Sequence, residues 1–325
     1  MKFRPFGKHG FDVSEIGFGA WAIGGSWGPQ SETDSVDALK KSLDLGVNFI
    51  DTAAGYGGGK SERIIGEVLK DRGGSKIHVA TKTPPASGAW PPTPYDDPED
   101  RYSELYLREN LAERMKFLAS DKVDVLQLHT WTRAWNRDPK PFAHLRNIQA
   151  EGKIGLIGIS TPEHDQNAVI DLMRGGWVDT VQVIYNIFEQ EPAAELLDVA
   201  GETGTAIIVR VAFDEGVLTG KFTADTQFAE DDFRRNYFAG DRLSRAVDRA
   251  EEIRKDVEGS GYTMAQVALK FVLAHPAVST VIPGIRNVNQ AELNCAVSEL
   301  PDLDTDLMIR LRRHNWRRAF WYSGK

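Results

Sequence analysis

The sequence predicts an α/β protein, a closed (β/α)8 or TIM barrel that spans residues 1–325 as one domain. Short apolar segments alternate with helical patterns through eight successive units, and no low-complexity linker or block of charge interrupts them. Strict alternation of this kind favours a parallel sheet that closes into a barrel. The length of 325 residues agrees, because such barrels reach about 250 residues or more within one domain.

The first barrel elements follow an N-terminal β-hairpin. Residues 2–6 and 11–13 flank the glycine-rich turn 7–10, a pattern typical of two antiparallel strands. The first long helix is expected to begin at Ser31 or Thr33, which are suitable N-cap residues. The apolar segments predicted as barrel strands are residues 16–19, 47–50, 77–81, 123–128, 154–159, 178–183, 206–209 and 278–282. The predicted helices include residues 31–46, 61–69, 103–118, 241–258, 264–274 and 288–297.

Segments rich in aromatic residues lie outside this regular pattern. Residues 84–102 contain six prolines, and residues 131–137 form a second aromatic segment. Both follow predicted strands, so we expect long loops over the mouth of the barrel. The C-terminal tail is also too aromatic for an ordinary chain end, and we expect it to fold back over the barrel. Its aromatic residues and histidine are His314, Trp316, Phe320, Trp321 and Tyr322.

The composition limits the classes of function. With 47 acidic and 39 basic side chains the net charge is −8, so no overall positive field would attract nucleic acid or an anionic membrane surface. No stretch approaches the ~18 apolar residues of a membrane span. Cys295 is the only cysteine, which excludes an intrachain disulfide and a cysteine-based zinc site. We therefore expect a cytoplasmic protein with no metal, nucleic-acid or membrane partner.

Four polar side chains follow predicted barrel strands. Asp51 ends the second strand, Tyr56 lies in the loop after it, Lys82 follows the third strand, and His129 follows the fourth. Because the carboxyl ends of barrel strands meet at one mouth, the fold would bring all four together. The alternative is structural: Asp51 and Lys82 as a plain buried ion pair, and His129 as a core histidine.

These positions carry a family resemblance. The motifs Gly-Phe-Gly-Ala-Trp (17–21), Asp-Thr-Ala-x-x-Tyr-Gly (51–57), Thr-Lys (81–82) and Leu-Gln-Leu-His (126–129) occur in this order. With them the chain resembles the aldo-keto reductase superfamily over nearly its whole length. The resemblance implies an NADP-dependent oxidoreductase that reduces an aldehyde or ketone to an alcohol, or catalyses the reverse, by direct hydride transfer.

The four side chains also have a chemical logic of their own. A phenol with a pKa of about 10 is a poor proton donor at neutral pH unless a cation stabilises its phenolate, and Lys82, held by Asp51, can supply that cation. Tyr56 would protonate the carbonyl oxygen while His129 orients the substrate and stabilises the developing charge. Two rivals stay open. One is a Schiff-base role for Lys82, as in barrel lyases, and the other is a nucleotide-binding regulatory module resembling potassium-channel β subunits.

The resemblance extends to the residues that hold the nicotinamide. In the family's pattern, residues after the fifth strand and within the sixth bind the carboxamide, and Ser160 and Gln182 match these positions. Thr161 stands where the family usually has Asn, so one amide contact is in doubt. Arg210 ends the seventh strand, where an aromatic ring usually stacks on the nicotinamide, and a planar guanidinium can stack there as well.

Residues 213–221 resemble the loop that binds the cofactor pyrophosphate. Glycines there let the backbone approach phosphate, and a lysine supplies charge. Asp214 and Glu215 are unexpected beside an anion, so we expect them to point away from it or to weaken its binding. The matching positions are Gly216, Leu218, Gly220 and Lys221.

Residues 282–294 resemble the segment that binds the adenosine end. Arg286 can pair bidentately with a 2′-phosphate, which favours NADPH over NADH, although NADH stays possible. Leu293 stands where Glu is common, so one adenine contact is expected to be missing. The matching positions are Gly284, Arg286, Gln290 and Asn294.

Aromatic residues of the mouth loops are expected to line the substrate pocket. An apolar pocket with a few polar groups suits a small-molecule carbonyl or alcohol substrate of some bulk. Scattered surface aromatics are the alternative. The residues are Trp21, Trp27, Trp90, Trp131 and Trp135.

Overall fold

Two sheets are present in the computed structural model, which describes residues 1–70, 72, 74, 76–316 and 318. Strands β1 (Phe3–Pro5) and β2 (Asp12–Ser14) pair antiparallel as the predicted hairpin. The second sheet has eight parallel strands that pair in chain order. They are β3 (Phe18–Gly19), β4 (Phe49–Asp51), β5 (His78–Thr83), β6 (Val123–Leu128), β7 (Ile154–Ser160), β8 (Thr180–Ile184), β9 (Ala206–Arg210) and β10 (Val278–Val281).

The parallel sheet closes on itself beside its first and last strands. Gly17 N donates to Val281 O at 2.8 Å, and Gly19 N donates to Pro283 O at 3.0 Å. The backbones approach so closely that a Cβ on Gly19 would lie 2.5 Å from Ile282 O. A glycine is therefore needed at this seam, and the predicted (β/α)8 barrel is confirmed.

Helices connect the strands around the outside of the barrel. Ser31 caps the first long helix by accepting a hydrogen bond from Asp34 N at 2.9 Å, as predicted. The helices are α1 (Trp21–Gly24), α2 (Glu32–Asp44), α3 (Lys60–Lys70), α4 (Pro98–Tyr102), α5 (Glu104–Phe117), α6 (Lys140–Ala150), α7 (Ile170–Arg174), α8 (Leu196–Thr203), α9 (Arg234–Tyr237), α10 (Arg242–Val257), α11 (Met264–Leu273), α12 (Val288–Ala296) and α13 (Thr305–Arg312). Short 3-10 helices cover Arg133–Arg137, Gln166–Val169, Glu191–Ala194, Asp214–Thr219 and Val297–Glu299. Within the described residues, none of the helices has the length and hydropathy that crossing a bilayer requires.

The helix predicted at residues 241–258 is α10, and one of its faces is buried. Leu243, Val247 and Ala250 recur at spacings of four and three residues and enter the core, while the charged residues between them cover the outside.

The described part of the C-terminal tail lies against the barrel. Trp316 N donates to Phe188 O at 2.8 Å, and Trp316 is buried. Phe320, Trp321 and Tyr322, which belong to the predicted aromatic tail, lie outside the described residues.

The hairpin closes the end of the barrel opposite to the mouth. Lys8 N donates to Gly204 O at 3.0 Å, just before β9 begins. The buried ring of Phe6 lies 5.2 Å from the ring of Phe49, at the start of β4. Apolar side chains of the hairpin and of the strand starts therefore fill the amino end of the barrel.

Candidate active site

A layer of polar side chains lies above an apolar layer inside the barrel. Side chains on one face of a strand recur at every second residue, so each polar residue lies two positions after an apolar residue of the same strand. The lower residues belong to one buried apolar cluster. The pairs of lower and upper residue are Phe49 and Asp51 in β4, Ala80 and Lys82 in β5, Val125 and Gln127 in β6, and Ile208 and Arg210 in β9.

Lys82 is the centre of this polar layer. Its Nζ donates to Asp51 Oδ2 at 2.5 Å, to Thr52 O at 2.8 Å and to Tyr56 OH at 3.2 Å. An ammonium has three N–H groups, so these three bonds use all of them. The structure therefore brings Asp51, Tyr56 and Lys82 into direct hydrogen-bonded contact.

Two glutamine amides hold the second oxygen of Asp51. Gln127 Nε2 donates to Asp51 Oδ1 at 3.1 Å, and Gln182 Nε2 donates to it at 2.7 Å. The amide oxygens of both glutamines are buried, and neither has a hydrogen-bond partner among the described residues. Gln127 lies within the motif Leu-Gln-Leu-His but was not among the predicted site residues, although a polar residue at an inward position of an apolar strand was a usable signal.

Burial and charge act in opposite directions on Tyr56 and Lys82. Burial raises the pKa of Tyr56, and the Lys82 ammonium opposes this rise only in part. The net shift is upward, contrary to the acidic phenol expected from the sequence. For Lys82, burial favours a lower pKa, but Asp51 and Tyr56 outweigh it and raise the pKa above 10.5. Lys82 is therefore an ammonium at neutral pH.

His129 lies beside Tyr56 and beneath Trp90. The ring centroids of His129 and Tyr56 are 6.1 Å apart, and Trp90 meets His129 edge-on at 5.1 Å. Burial lowers the pKa of His129 well below 6.5, and the charges of Lys82 and Arg210 lower it further. His129 is thus neutral at pH 7 and keeps one N–H that can donate to an oxygen.

Three of the five predicted pocket tryptophans lie close to these rings. Trp21 stacks on Tyr56 with centroids 5.9 Å apart, and Trp27 meets Trp21 edge-on at 5.2 Å. With Trp90 over His129, they form aromatic walls next to the polar layer.

Trp131 and Trp135 are packed under the mouth loops. Their rings lie 5.0 Å apart, and both side chains are buried in the hydrophobic core. Trp131 Nε1 donates to Asn136 Oδ1 at 2.8 Å, and Trp135 Nε1 donates to Asp96 O at 2.7 Å. Trp131 also borders a cavity of about 810 Å³, which none of the four polar residues lines. These two tryptophans support the loops beside the mouth.

The predicted pyrophosphate segment has an unusual backbone. Gly216 has φ +106° and Gly220 has φ +71°, as their residue type permits. Asp214 (φ +48°) and Glu215 (φ +55°) adopt the same left-handed region without that freedom. Burial raises the pKa of Glu215 to about 8, and the neighbouring Asp214 adds to the rise. The two acids that were unexpected beside an anion therefore lie in a strained and buried part of the segment.

The remaining residues of the segment differ in exposure. Leu218 is fully buried and anchors the turn, whereas Lys221 is exposed at its end. Lys221 is thus available to a ligand that approaches from solvent.

Arg234 adjoins this segment and was not revealed by the motifs. It donates from Nε and Nη2 to the carboxylate of Asp232, and its cation lies 4.7 Å from the Trp27 ring and 5.0 Å from the Phe228 ring. A Cβ on Gly216 would lie 3.6 Å from Arg234 Nη1. A fixed guanidinium therefore stands next to a glycine predicted to approach phosphate.

Arg210 is tied to the loop after β7. Its Nη2 donates to Thr161 O at 3.0 Å and to Glu163 Oε1 at 3.2 Å. Ser160, which ends β7, is buried, and the Thr161 hydroxyl donates to Gln166 Oε1 at 3.2 Å. Glu163 thus offsets part of the charge that Arg210 brings to the mouth.

Arg286 is held against the loop that precedes α2. Its Nε donates to Gln30 Oε1 at 2.9 Å, and its Nη2 donates to Pro29 O at 2.6 Å. Its backbone N–H donates to Gln290 Oε1 at 2.9 Å. Arg286 keeps its charge without a carboxylate partner in the described residues, so it can still meet an anion. Asn294, the last predicted adenosine contact, is buried in α12.

Comparison with known proteins identifies the family. The sequence model of the aldo/keto reductase family matches residues 15–315. The chain belongs to the aldo/keto reductase family. It is 29% identical to aldo-keto reductase YhdN of Bacillus subtilis, over 92% of this chain and 88% of that protein. It is 27% identical to an NADH-specific methylglyoxal reductase of Escherichia coli, over 95% of this chain and 97% of that protein.

Solved structures of aldo/keto reductases share the fold. A glycerol dehydrogenase from Gluconobacter oxydans has a TM-score of 0.76 and 26% identity, covering 96% of this chain and 95% of that one. The holo form of an aldo-keto reductase from Bacillus halodurans has a TM-score of 0.77 and 23% identity, covering 100% and 99%.

Membership makes this aldo/keto reductase an oxidoreductase that acts on carbonyl or alcohol groups with a nicotinamide cofactor. The relatives differ in the nucleotide they are named for, so membership alone does not determine which one this chain prefers.

Proposed function

We propose that this aldo/keto reductase is an NADP-dependent enzyme that reduces an aldehyde or ketone to an alcohol, or catalyses the reverse, with Tyr56 as general acid. The observation that carries the proposal is the position of Lys82 Nζ, bonded to Asp51 Oδ2 and to Tyr56 OH beside His129. A proton donor, the cation that stabilises its anion and a second donor then face one oxygen of a substrate.

The residues present fit a nicotinamide nucleotide. Gln182 Oε1 is a buried acceptor without a partner in the described part of the chain, so the N–H of a carboxamide would satisfy it. A side chain on Gly284 would meet no atom within 4 Å, so the backbone there is open to a ligand. The residues proposed to hold the nucleotide are Ser160, Gln182 and Arg210 at the nicotinamide, Gly216, Leu218, Gly220, Lys221 and Arg234 at the pyrophosphate, and Gly284, Arg286, Gln290 and Asn294 at the adenosine end.

A bound nicotinamide supplies the hydride for the carbonyl carbon. Tyr56 supplies the proton for the carbonyl oxygen. Its raised pKa keeps the phenol protonated at neutral pH, which is the state that a donor needs. An oxygen that becomes an alkoxide is a much stronger base than a phenolate, so the proton moves towards the substrate. Lys82 then stabilises the phenolate that remains on Tyr56.

His129 is proposed to orient the same substrate oxygen. The neutral imidazole donates one N–H, and it does not compete with Tyr56 as an acid because its pKa lies well below 6.5. The ring of Trp90 lies perpendicular to it, with the two centroids 5.1 Å apart. Fixed donors aimed at a developing oxyanion are among the strongest contributions to catalysis.

A Schiff-base role for Lys82 fits the structure less well. A nucleophilic amine must be neutral and must reach a carbonyl carbon. Lys82 is a buried ammonium, and its three N–H groups are all donated to protein oxygens. Treatment with borohydride in the presence of a carbonyl substrate is therefore expected to leave no covalent adduct on Lys82.

The preference for NADPH rests on Arg286. Its guanidinium is held by Gln30 and the Pro29 carbonyl, so the orientation of the charge is set before a ligand arrives. A preorganised guanidinium suits a 2′-phosphate. Binding of NADH stays compatible with the site, because the other proposed contacts do not involve that phosphate.

The substrate is proposed to be a small carbonyl or alcohol compound that contacts Trp21, Trp27 and Trp90. The Trp21 ring adjoins Tyr56, the Trp90 ring adjoins His129 and Trp27 packs on Trp21, so the reacting oxygen would lie at the polar end of an apolar site. A cytoplasmic location is proposed from the composition, since the one cysteine leaves no intrachain disulfide to need an oxidising compartment.

Turnover decides between an enzyme and a regulatory module. The full chain is mixed with NADPH and a panel of aldehydes and ketones, and the nicotinamide absorbance is followed. Consumption of NADPH that requires both protein and carbonyl compound is expected. A protein that binds NADPH tightly yet never consumes it with any member of the panel would favour a nucleotide-binding module.

A further inference from the structure

Asp214 lies in the segment proposed to bind pyrophosphate, yet its carboxylate is buried and paired. Arg318 Nη1 donates to Asp214 Oδ2 at 2.8 Å, and Nη2 donates to Oδ1 at 2.5 Å. The Arg318 and Asp214 side chains are 1% and 0% exposed. A bidentate pair of this kind cancels the charge of the carboxylate locally. Without the guanidinium, a lone buried charge would remain in the segment.

The guanidinium comes from the C-terminal tail, 104 residues further along the chain. Trp316 anchors this tail: its N–H donates to Phe188 O, and its ring meets the Phe188 ring edge-on at 5.5 Å. His314 Nε2 lies 2.7 Å from Asp256 Oδ2. Among the described residues of the tail, Trp316 therefore contacts Phe188 and Arg318 contacts Asp214.

The backbone of the segment keeps Asp214 near the proposed phosphate site. Asp214 N donates to Val211 O, and Gly216 N and Leu218 N both donate to Phe213 O, each at 3.0 Å. Two residues of chain, at most about 7 Å, separate Asp214 from Gly216. An uncompensated carboxylate at position 214 would consequently stand close to a bound diphosphate.

We infer that Arg318 is a positioning residue for cofactor binding, because its guanidinium cancels the charge of Asp214 and so allows the adjacent segment to accept an anion. This inference rests on the proposed function, since it requires a dinucleotide at residues 213–221. It also explains how an aspartate is tolerated beside an anion site: its charge is matched by the tail. The C-terminal tail thereby controls the affinity of the protein for its nucleotide.

Four variants separate the charge of Asp214 from the anchoring of the tail. Arg318→Met removes the cation and keeps a long side chain, whereas Arg318→Lys keeps the charge and loses the bidentate geometry. Asp214→Asn removes the carboxylate charge. The fourth variant combines Arg318→Met with Asp214→Asn. Arg249→Met is the matched control, because Arg249 lies 4.5 Å from the Trp316 ring and touches the same tail away from Asp214.

The full-length variants are titrated with NADPH while tryptophan fluorescence is followed, and thermal unfolding is measured in parallel. Arg318→Met is expected to raise the Kd for NADPH about tenfold or more, because two like charges at this separation are only partly screened. Arg318→Lys is expected to give a smaller rise. The double variant and the Arg249→Met control are expected to stay within about twofold of the unmodified chain.

The double variant distinguishes the two explanations even if Arg318→Met alone folds poorly. If Arg318 acted only as an anchor, the double variant would bind NADPH as weakly as Arg318→Met, and the inference would be overturned. Equal affinities of Arg318→Met and the unmodified chain would overturn it too, while leaving the proposed function intact. Failure of the unmodified chain to bind either NADPH or NADH would instead defeat the proposed function.

Discussion

Gln182 donates from its amide nitrogen to Asp51 Oδ1 across 2.7 Å, while its amide oxygen has no hydrogen-bond partner in the described residues. One side chain thus touches the carboxylate that holds Lys82 and presents an acceptor proposed for the nicotinamide carboxamide. With the proposed function, this single amide would link nucleotide binding to the orientation of the proton donor. A substitution at Gln182 is expected to affect both nucleotide affinity and proton transfer.

Tyr56→Phe is expected to abolish carbonyl reduction and to leave nucleotide affinity nearly unchanged. The substitution removes one hydroxyl, which is the proposed proton source, and loss of a general acid lowers kcat by about 100-fold to 10,000-fold. Steady-state kinetics with NADPH and a carbonyl substrate measure the first effect, and fluorescence titration with NADPH measures the second. Retention of more than about a tenth of the kcat would remove Tyr56 from the role of general acid.

Arg286→Ala is expected to weaken NADPH much more than NADH. Hydrogen bonds to charged groups contribute about 1.5–3 kcal/mol each, so the Kd for NADPH should rise about tenfold or more while that for NADH changes little. Gln30→Ala is a matched variant, since Gln30 accepts from Arg286 Nε and orients the guanidinium without carrying charge. It should reduce the preference for NADPH by a smaller factor. Comparable losses for both nucleotides would exclude Arg286 from the 2′-phosphate.

Nucleotide affinity is expected to fall as the pH rises above about 8, the value to which burial raises the pKa of Glu215. Below this pH the buried carboxyl is neutral. Above it, a carboxylate adjoins the proposed pyrophosphate site, and a bound anion would raise its pKa further, so binding and protonation favour each other. The charged residues around Glu215 that also act on its pKa are Asp214, Arg210, Arg234 and Arg318.

Glu215→Gln provides the control for this pH dependence. The amide keeps the size of the side chain and cannot ionise in this range, so the Kd for NADPH should lose most of its dependence between about pH 7 and 9. The titration is repeated at each pH with both proteins. Identical pH profiles would show that another group is responsible.

Removal of residues 314–325 is expected to change the choice of substrate. The truncation takes away Trp316, which packs on Phe188, together with Arg318, and so exposes part of the barrel mouth. Relative kcat/KM values across the carbonyl panel are the measurement. A chain that ends after Arg318 separates the two contributions, because it keeps the pair with Asp214. Unchanged specificity constants after the longer truncation would contradict a contribution of the tail to substrate choice.

The barrel and its four central side chains could be predicted because both depend on local pattern. Apolar segments of strand length recur between helical patterns, and Asp51, Lys82 and His129 follow directly at strand ends. Residues at that position of a parallel barrel must share one mouth. Gln127 could have been predicted in the same way, since it lies two residues after Val125 on an inward face, but its place in the motif 126–129 did not by itself indicate that it binds Asp51.

The parts that could not be predicted depend on contacts between distant segments. Arg318 pairs with Asp214 across 104 residues, and no local pattern indicates that partnership. Arg234 belongs to the long segment after β9 and lies near Gly216, with its guanidinium against the rings of Trp27 and Phe228. The sign of the Tyr56 pKa shift was also missed, because the degree of burial that opposes Lys82 is a property of the packed site.

The hairpin that closes the amino end of the barrel stabilises the fold at the end opposite to the candidate active site. Phe6 packs against Phe49 there, at the opposite end of the strands from the reacting groups. Substitutions that disrupt this packing would lower the melting temperature. The loops at the other end of the barrel can differ in sequence without affecting it. Substrate choice can therefore change through substitutions in the mouth loops alone, while the hairpin and the amino ends of the strands stay the same.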